Sequence, residues 1–280
     1  MSVETIRAVG RIVAGGFYDH QDVRQAEMNR IRDVIRKKNE GIDLSQPEPK
    51  KDKKKFSKEY ADEKLVPLLA RMLKEGKITP EEHKYISDTL RVLVEARKQE
   101  EKYKRLMLRY AQTEPIYTEY LSKIKGIGPV LGSQLIYYVG YGERYEHVSS
   151  LWKHWGLHVV NGKAPKRQKG TKVDWNPKLR TLAWKIADQF IKQRTPLYRD
   201  IYDKEKERQL RLMENKAENA PESRGHAENR ARRKMVKIFL QHYWVTARKM
   251  AGLPVTEPYA IAKLKHPHYI EPSEAVEESG

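Results

Sequence analysis

After Pro80, neither glycine nor proline interrupts the chain until Pro115, and through about Ala111 apolar side chains return at helical spacing, among them Ile86, Leu90, Leu93, Tyr103, Leu106 and Tyr110. At 1.5 Å per residue the predicted helix is roughly 48 Å long. An element of that length suits a helical hairpin or a coiled-coil-like arm, and it sets a mainly α expectation for the whole chain. Upstream, Leu65, Leu68, Leu69, Met72 and Leu73 form an i, i+3, i+4, i+7, i+8 stripe that Gly76 stops. Thr79, Pro80 and Glu82 then read as a capping box with proline at the first helical position.

The same reading divides the rest. Val3, Ile6, Val9 and Val13, then Val23, Ala26, Ile31, Val34 and Ile35 after Gly15-Gly16, predict two short N-terminal helices over 1–42. A proline- and lysine-rich linker covers 43–56, and the arm covers 57–114. Pro115 opens a motif-rich domain over 115–216, within which Asn176-Pro177 cap a helix with core face Leu179, Leu182, Ala183, Ile186, Ala187 and Phe190. A loop over 217–226, a C-terminal helical segment over 227–270 that buries Met235, Ile238, Phe239 and Tyr243, and a disordered tail over 271–280 complete the expectation.

Composition narrows the partners. Lys and Arg number 56 against 38 Asp and Glu, a formal charge of +18. Solubility alone needs far less, so a polyanion is the expected partner. No apolar run approaches the ~18 residues of a membrane span, so a membrane partner is not expected. The absence of cysteine excludes disulfides, thiolate metal sites and a cysteine nucleophile, and fits a reducing, cytoplasmic setting in which the protein would be nucleoid-associated. His266 and His268 are a close pair without an evident third ligand, so neither a metal nor a cofactor is expected.

The sharpest motif is Ile124-Lys125-Gly126-Ile127-Gly128-Pro129-Val130, between a predicted helix ending near Lys123 and one running from Pro129 to Val139. The two glycines permit a hairpin too tight for side chains, and Pro129 sits where a helix tolerates it. Unpaired amides opening the second helix, around Gly126, Ile127, Gly128 and Val130, would meet a phosphate oxygen at the positive end of the helix dipole. Lys123 and Lys125 flank them. Gly132 would let the two helices cross closely, with Leu131, Leu135 and Ile136 packing the crossing. A bare Gly-X-Gly is more often an ordinary helix connection; here the flanking apolar pattern, proline, lysines and overall charge agree on a helix-hairpin-helix that reads backbone rather than bases.

A second basic element follows. Asn161-Gly162 is a two-residue turn signal between Leu157–Val160 and Lys163–Arg167, predicting one small basic β-hairpin that carries Lys163, Lys166, Arg167, Lys169 and Lys172 without an acidic residue. A solvated loop is the alternative. Trp152, Trp155, Trp175 and Trp184 surround it as stacking platforms or core, and Arg230, Arg232, Arg233, Lys234 and Lys237 form a basic helix face further on.

Four elements in order, GIGPVLGSQLIYYVG from Gly126, RYEHVSSLWKHWGLHVV from Arg144, the basic hairpin, and NPKLRTLAWKIA from Asn176, resemble the C-terminal domain of the pilin-inverting (Piv) type insertion-sequence transposases and recombinases. The resemblance implies DNA binding. It also implies an N-terminal RuvC-like fold with four metal-binding acidic residues, and a serine nucleophile just after the equivalent of Gly156-Leu157. This sequence departs from both: its first 110 residues read as helices, and no serine lies between Ser150 and Ser223. Thr171 is the hydroxyl nearest that region, and nothing in the sequence places a base beside it.

The leading reading is thus a DNA-binding accessory or architectural factor for recombination or DNA organisation, acting on duplex or branched DNA without catalytic residues of its own. An active transposase is the rival, a binder of structured or ribosomal RNA is the third reading, and the arm is a candidate for homodimerisation.

Overall fold

The computed structural model describes residues 2–45, 60–160, 162–256 and 270–278. Most of the linker expected over 43–56 lies outside them, as do Asn161 and the His266/His268 pair. Among the described residues the protein is mainly α, with helices α1 (Val3–Glu40), α2 (Asp62–Lys74), α3 (Pro80–Gln112), α4 (Pro129–Val139), α5 (Val148–His154), α6 (Pro177–Gln193), α7 (Tyr198–Glu214), α8 (Arg224–Met250) and α9 (Pro272–Glu277). None is long and apolar enough to cross a membrane. The chain divides into two compact units, Gly15–Arg105 in one and Met1–Ala14 with Leu106–Gly280 in the other.

In the Gly15–Arg105 unit, Ile35, Leu65, Leu69 and Met72 are buried together with Met28, Ile31, Ile78 and Leu93. The capping box forms: the Glu82 amide donates to Thr79 Oγ1 at 3.1 Å and the Thr79 amide to Glu82 Oε2 at 2.9 Å. Lys38 on α1 reaches Glu82 at 2.6 Å, and Arg24 pairs with the buried Glu100. The N-terminal expectation needs correction, because Gly15-Gly16 does not break the helix and α1 runs unbroken to Glu40. Gly16 is instead a point of close approach, where a Cβ would run into the Tyr103 ring of α3. Side-chain absence there serves packing, which offsets the roughly 1 kcal/mol that glycine costs in a helix.

The other unit is built on α8. Its buried face, including Met235, Phe239, Tyr243 and Trp244, packs with Leu179, Leu182, Ile186 and Phe190 of α6, while Ile238 is only partly covered. The Phe190 ring stacks on Tyr198 of α7 with centroids 4.7 Å apart, and Phe239 meets both edge-on. Polar side chains of α8 tie down the turn after α4: Tyr243 donates to the Gly140 carbonyl at 2.8 Å, Trp244 to Tyr145 at 2.8 Å, and Arg248 to Gly142 at 2.7 Å. The expected C-terminal tail also differs, since α9 forms there and buries Pro272 and Ala275.

Candidate nucleic-acid interface

The segment leading into the hairpin is not a regular α-helix. After Pro115 the chain makes one π-helical turn, Ile116–Tyr120, and one 3-10 turn, Leu121–Lys123. Ile116, Tyr117, Tyr120 and Leu121 are all buried, so the irregular winding aims four consecutive-turn side chains into one core. Gly132 lets this segment and α4 meet, because a Cβ there would fall 2.6 Å or less from the Tyr117 ring. Leu135 and Ile136 are fully covered beside it, and Leu131 is buried.

The two hairpin glycines play different parts. Gly126 has φ +93, a conformation that side chains rarely adopt, and a Cβ there would lie 3.4 Å from Phe190 and from Thr195. Thr195 Oγ1 donates to the Lys125 carbonyl at 2.8 Å and fixes the turn to the end of α6. Gly128 is extended at φ −80, ψ −179, and a Cβ on it would meet nothing within 4 Å. That corrects the expectation of a hairpin too tight for any side chain: only Gly126 is conformationally required.

Ile127 does not present its amide. Its N–H donates to the Ile124 carbonyl at 3.0 Å and its side chain is in the core. The groups left over open α4. No side chain caps that helix, Pro129 has no N–H, and the first helical bond is from the Gly132 amide to the Gly128 carbonyl at 2.9 Å. Among the described residues the amides of Gly128 and Val130 therefore have no acceptor at the positive end of the helix. Lys123 and Lys125 are exposed beside them.

Among the described residues the basic hairpin is reduced to a single antiparallel bridge between Val160 and Lys163. Its cations are all exposed: Lys163, Lys166, Arg167, Lys169 and Lys172. The loop is anchored from α6, where Arg180 donates to the Pro165 carbonyl at 2.5 Å. Thr171 is exposed in the same loop, its amide donating to the Gln168 carbonyl at 3.3 Å. Among the tryptophans, Trp155 and Trp175 are core, Trp152 is half-buried, and Trp184 is 53% exposed. Arg180 was missed in the sequence because it sits inside an amphipathic helix, and only the fold brings it to Arg230 and Arg233 of α8 around one cavity. Among the described residues no group of three or more His, Cys, Asp or Glu gathers as a metal site.

Uncapped amides at a helix N-terminus are, in general, favourable neighbours for an anion. Residues 118–203 match the model of the Transposase IS116/IS110/IS902 family. The match spans less than a third of the chain and covers the turn, α4, the basic loop, α6 and the start of α7, so this stretch carries a transposase-family domain. No curated protein and no solved structure matches the chain.

Proposed function

We propose that the protein binds DNA in a transposition- or recombination-related role, gripping the phosphate backbone through the hairpin at Gly126–Val130. The observation that carries this reading is the uncapped start of α4, with the Gly128 and Val130 amides unpaired and Lys123 and Lys125 exposed next to them. A phosphate oxygen satisfies those donors and meets both the helix dipole and the lysine charges. The cations of the 163–172 loop extend the footprint along the backbone. The family match over 118–203 supports DNA as the polyanion and fits the Piv-type resemblance. Such contacts position a protein on nucleic acid without reading bases, so the preference is for shape and not for sequence.

Gly128→Val tests the site. Its backbone is open to any residue and its Cβ direction is empty, so helix content and melting temperature should hold while duplex binding is largely lost to side-chain bulk beside the free amides. Unchanged affinity sinks the assignment. Competition between duplex DNA, a four-way junction and structured RNA at equal nucleotide concentration decides the polyanion, and a preference for RNA overturns the DNA reading.

A further inference from the structure

A second basic site lies away from the hairpin turn, in a cavity of about 690 Å³ between α6, the start of α8 and the residues Gly156, Leu157, Lys163, Ala164 and Lys166. That volume is in the range that holds one small ligand. Lys163, Lys166, Arg180, Arg230, Arg232 and Arg233 line it, against a single carboxylate residue, Glu222. Among the described residues no carboxylate is hydrogen-bonded to Arg180, Arg230 or Arg233, although Glu228 lies within electrostatic reach of Arg232. Among the described residues Arg180 donates only to the Pro165 carbonyl, and it lies 4.7 Å from the Trp175 ring centroid; Arg230 donates to Gln209 and to the Asn219 carbonyl. Nε of Arg232 is buried without a partner. Arg233 has neither a carboxylate nor a hydrogen-bond acceptor among the described residues, and burial followed by the charges of Arg230 and Arg180 pulls its pKa below the usual guanidinium value. One turn along α8, burial and Arg233 push Lys237 down to about 8.

Partly desolvated like charges held this close are unfavourable unless an anion joins them. The other wall supplies an aromatic surface, because Trp184 is 53% exposed at the cavity and carries the Arg232 guanidinium at 5.7 Å from its ring centroid. We propose that this cavity binds a nucleotide bearing a terminal phosphate, with the phosphomonoester among Arg180, Arg230 and Arg233 and the base stacked on Trp184. A phosphomonoester carries up to twice the charge of an internal phosphodiester, which matches the excess of cations, and a strand end enters a ligand-sized cavity without leading a backbone through it. The inference rests on the nucleic-acid reading above for the source of the ligand, but its phosphate contacts, Arg180, Arg230 and Arg233, are not among the cations assigned to the backbone footprint.

The test compares, on the intact chain, a short single strand ending in phosphate with the same strand ending in hydroxyl, at the 5′ and at the 3′ terminus, and AMP with adenosine. The phosphorylated ligand of at least one pair should bind on the order of tenfold tighter, about 1.4 kcal/mol. A preference confined to strands assigns the site to strand ends; one shared by AMP assigns it to nucleotides in general, and both support the cavity. Arg233→Met should abolish the preference while duplex affinity stays, and Lys123→Gln with Lys125→Gln should do the reverse. Equal binding of phosphate and hydroxyl forms in every pair overturns the cavity even if salt-sensitive duplex binding upholds the hairpin.

Discussion

The hairpin and the arginine cavity both collect positive charge, but by opposite means. At the hairpin the cations are solvated, and the fixed element is backbone: a glycine turn and the unpaired amides of Gly128 and Val130. In the cavity the fixed elements are half-buried arginine side chains, with Arg180 and Arg233 held near Arg230. Solvated lysines cost the fold almost nothing, so their presence says little about a ligand. Desolvated arginines without carboxylates cost stability, and a cost of that kind is informative about what is meant to bind.

The largest effect that separates the two regions is in stability against pH. Lys237 titrates near 8 when folded, against 10.5 unfolded, because burial and then Arg233 disfavour its charge. Between those values the unfolded chain binds more protons, so stability rises as pH climbs from 8 towards 10.5 and the full cost is present at pH 7. Lys237→Met should remove that cost, raising stability at pH 7 by up to about 3 kcal/mol. Chemical denaturation at pH 7 and pH 10 reads it; the same pH dependence in both proteins would erase the contrast. Lys125→Met at the exposed hairpin should stay within about 0.5 kcal/mol of wild type.

Next in size is the difference between the hairpin glycines. Gly126→Ala should cost roughly 1–2 kcal/mol, because alanine must take φ +93 and its Cβ would sit 3.4 Å from Phe190 and Thr195. Gly128→Ala should be neutral or slightly stabilising by restricting the unfolded chain. Thermal melts of the pair decide it, and an equal loss in both would mean that the turn is not built as described.

Smaller again is the effect of an aromatic truncation. Trp184→Ala should leave the melting temperature nearly unchanged, since the ring is half in solvent, but weaken binding of phosphorylated strands by about 1 kcal/mol as the stacking surface is lost. Calorimetry on the two proteins checks it, and undiminished affinity would remove the base from the cavity.

Local signals were legible in the sequence and remote ones were not. The core face of α6 and the Thr79-Glu82 capping box depend on a few neighbouring residues, and each stands as its pattern predicts, whereas of the two hairpin glycines only Gly126 needs its conformation. The continuity of α1 through Gly16 depends on Tyr103, a partner far along the chain that no local pattern names. The π-helical entry to the hairpin likewise follows from burying Ile116, Tyr117, Tyr120 and Leu121 at once. The basic β-hairpin looked stronger than it is, since a turn signal fixes a bend but its flanks lack the cross-strand partners that make a ladder. Arg180 and Arg233 belong to separate helices, and their convergence exists only in three dimensions.

The central claim is that the hairpin holds nucleic-acid phosphate. The direct measurement is duplex DNA affinity against salt concentration for the wild-type chain and for Lys123→Gln with Lys125→Gln. Each lost phosphate contact should lower the slope of log K against log salt by about 0.9, so the double variant should bind more weakly with a slope shallower by roughly 1.8, its melting temperature unchanged. An identical slope and affinity in the two proteins would contradict the account, because the hairpin would then carry none of the binding.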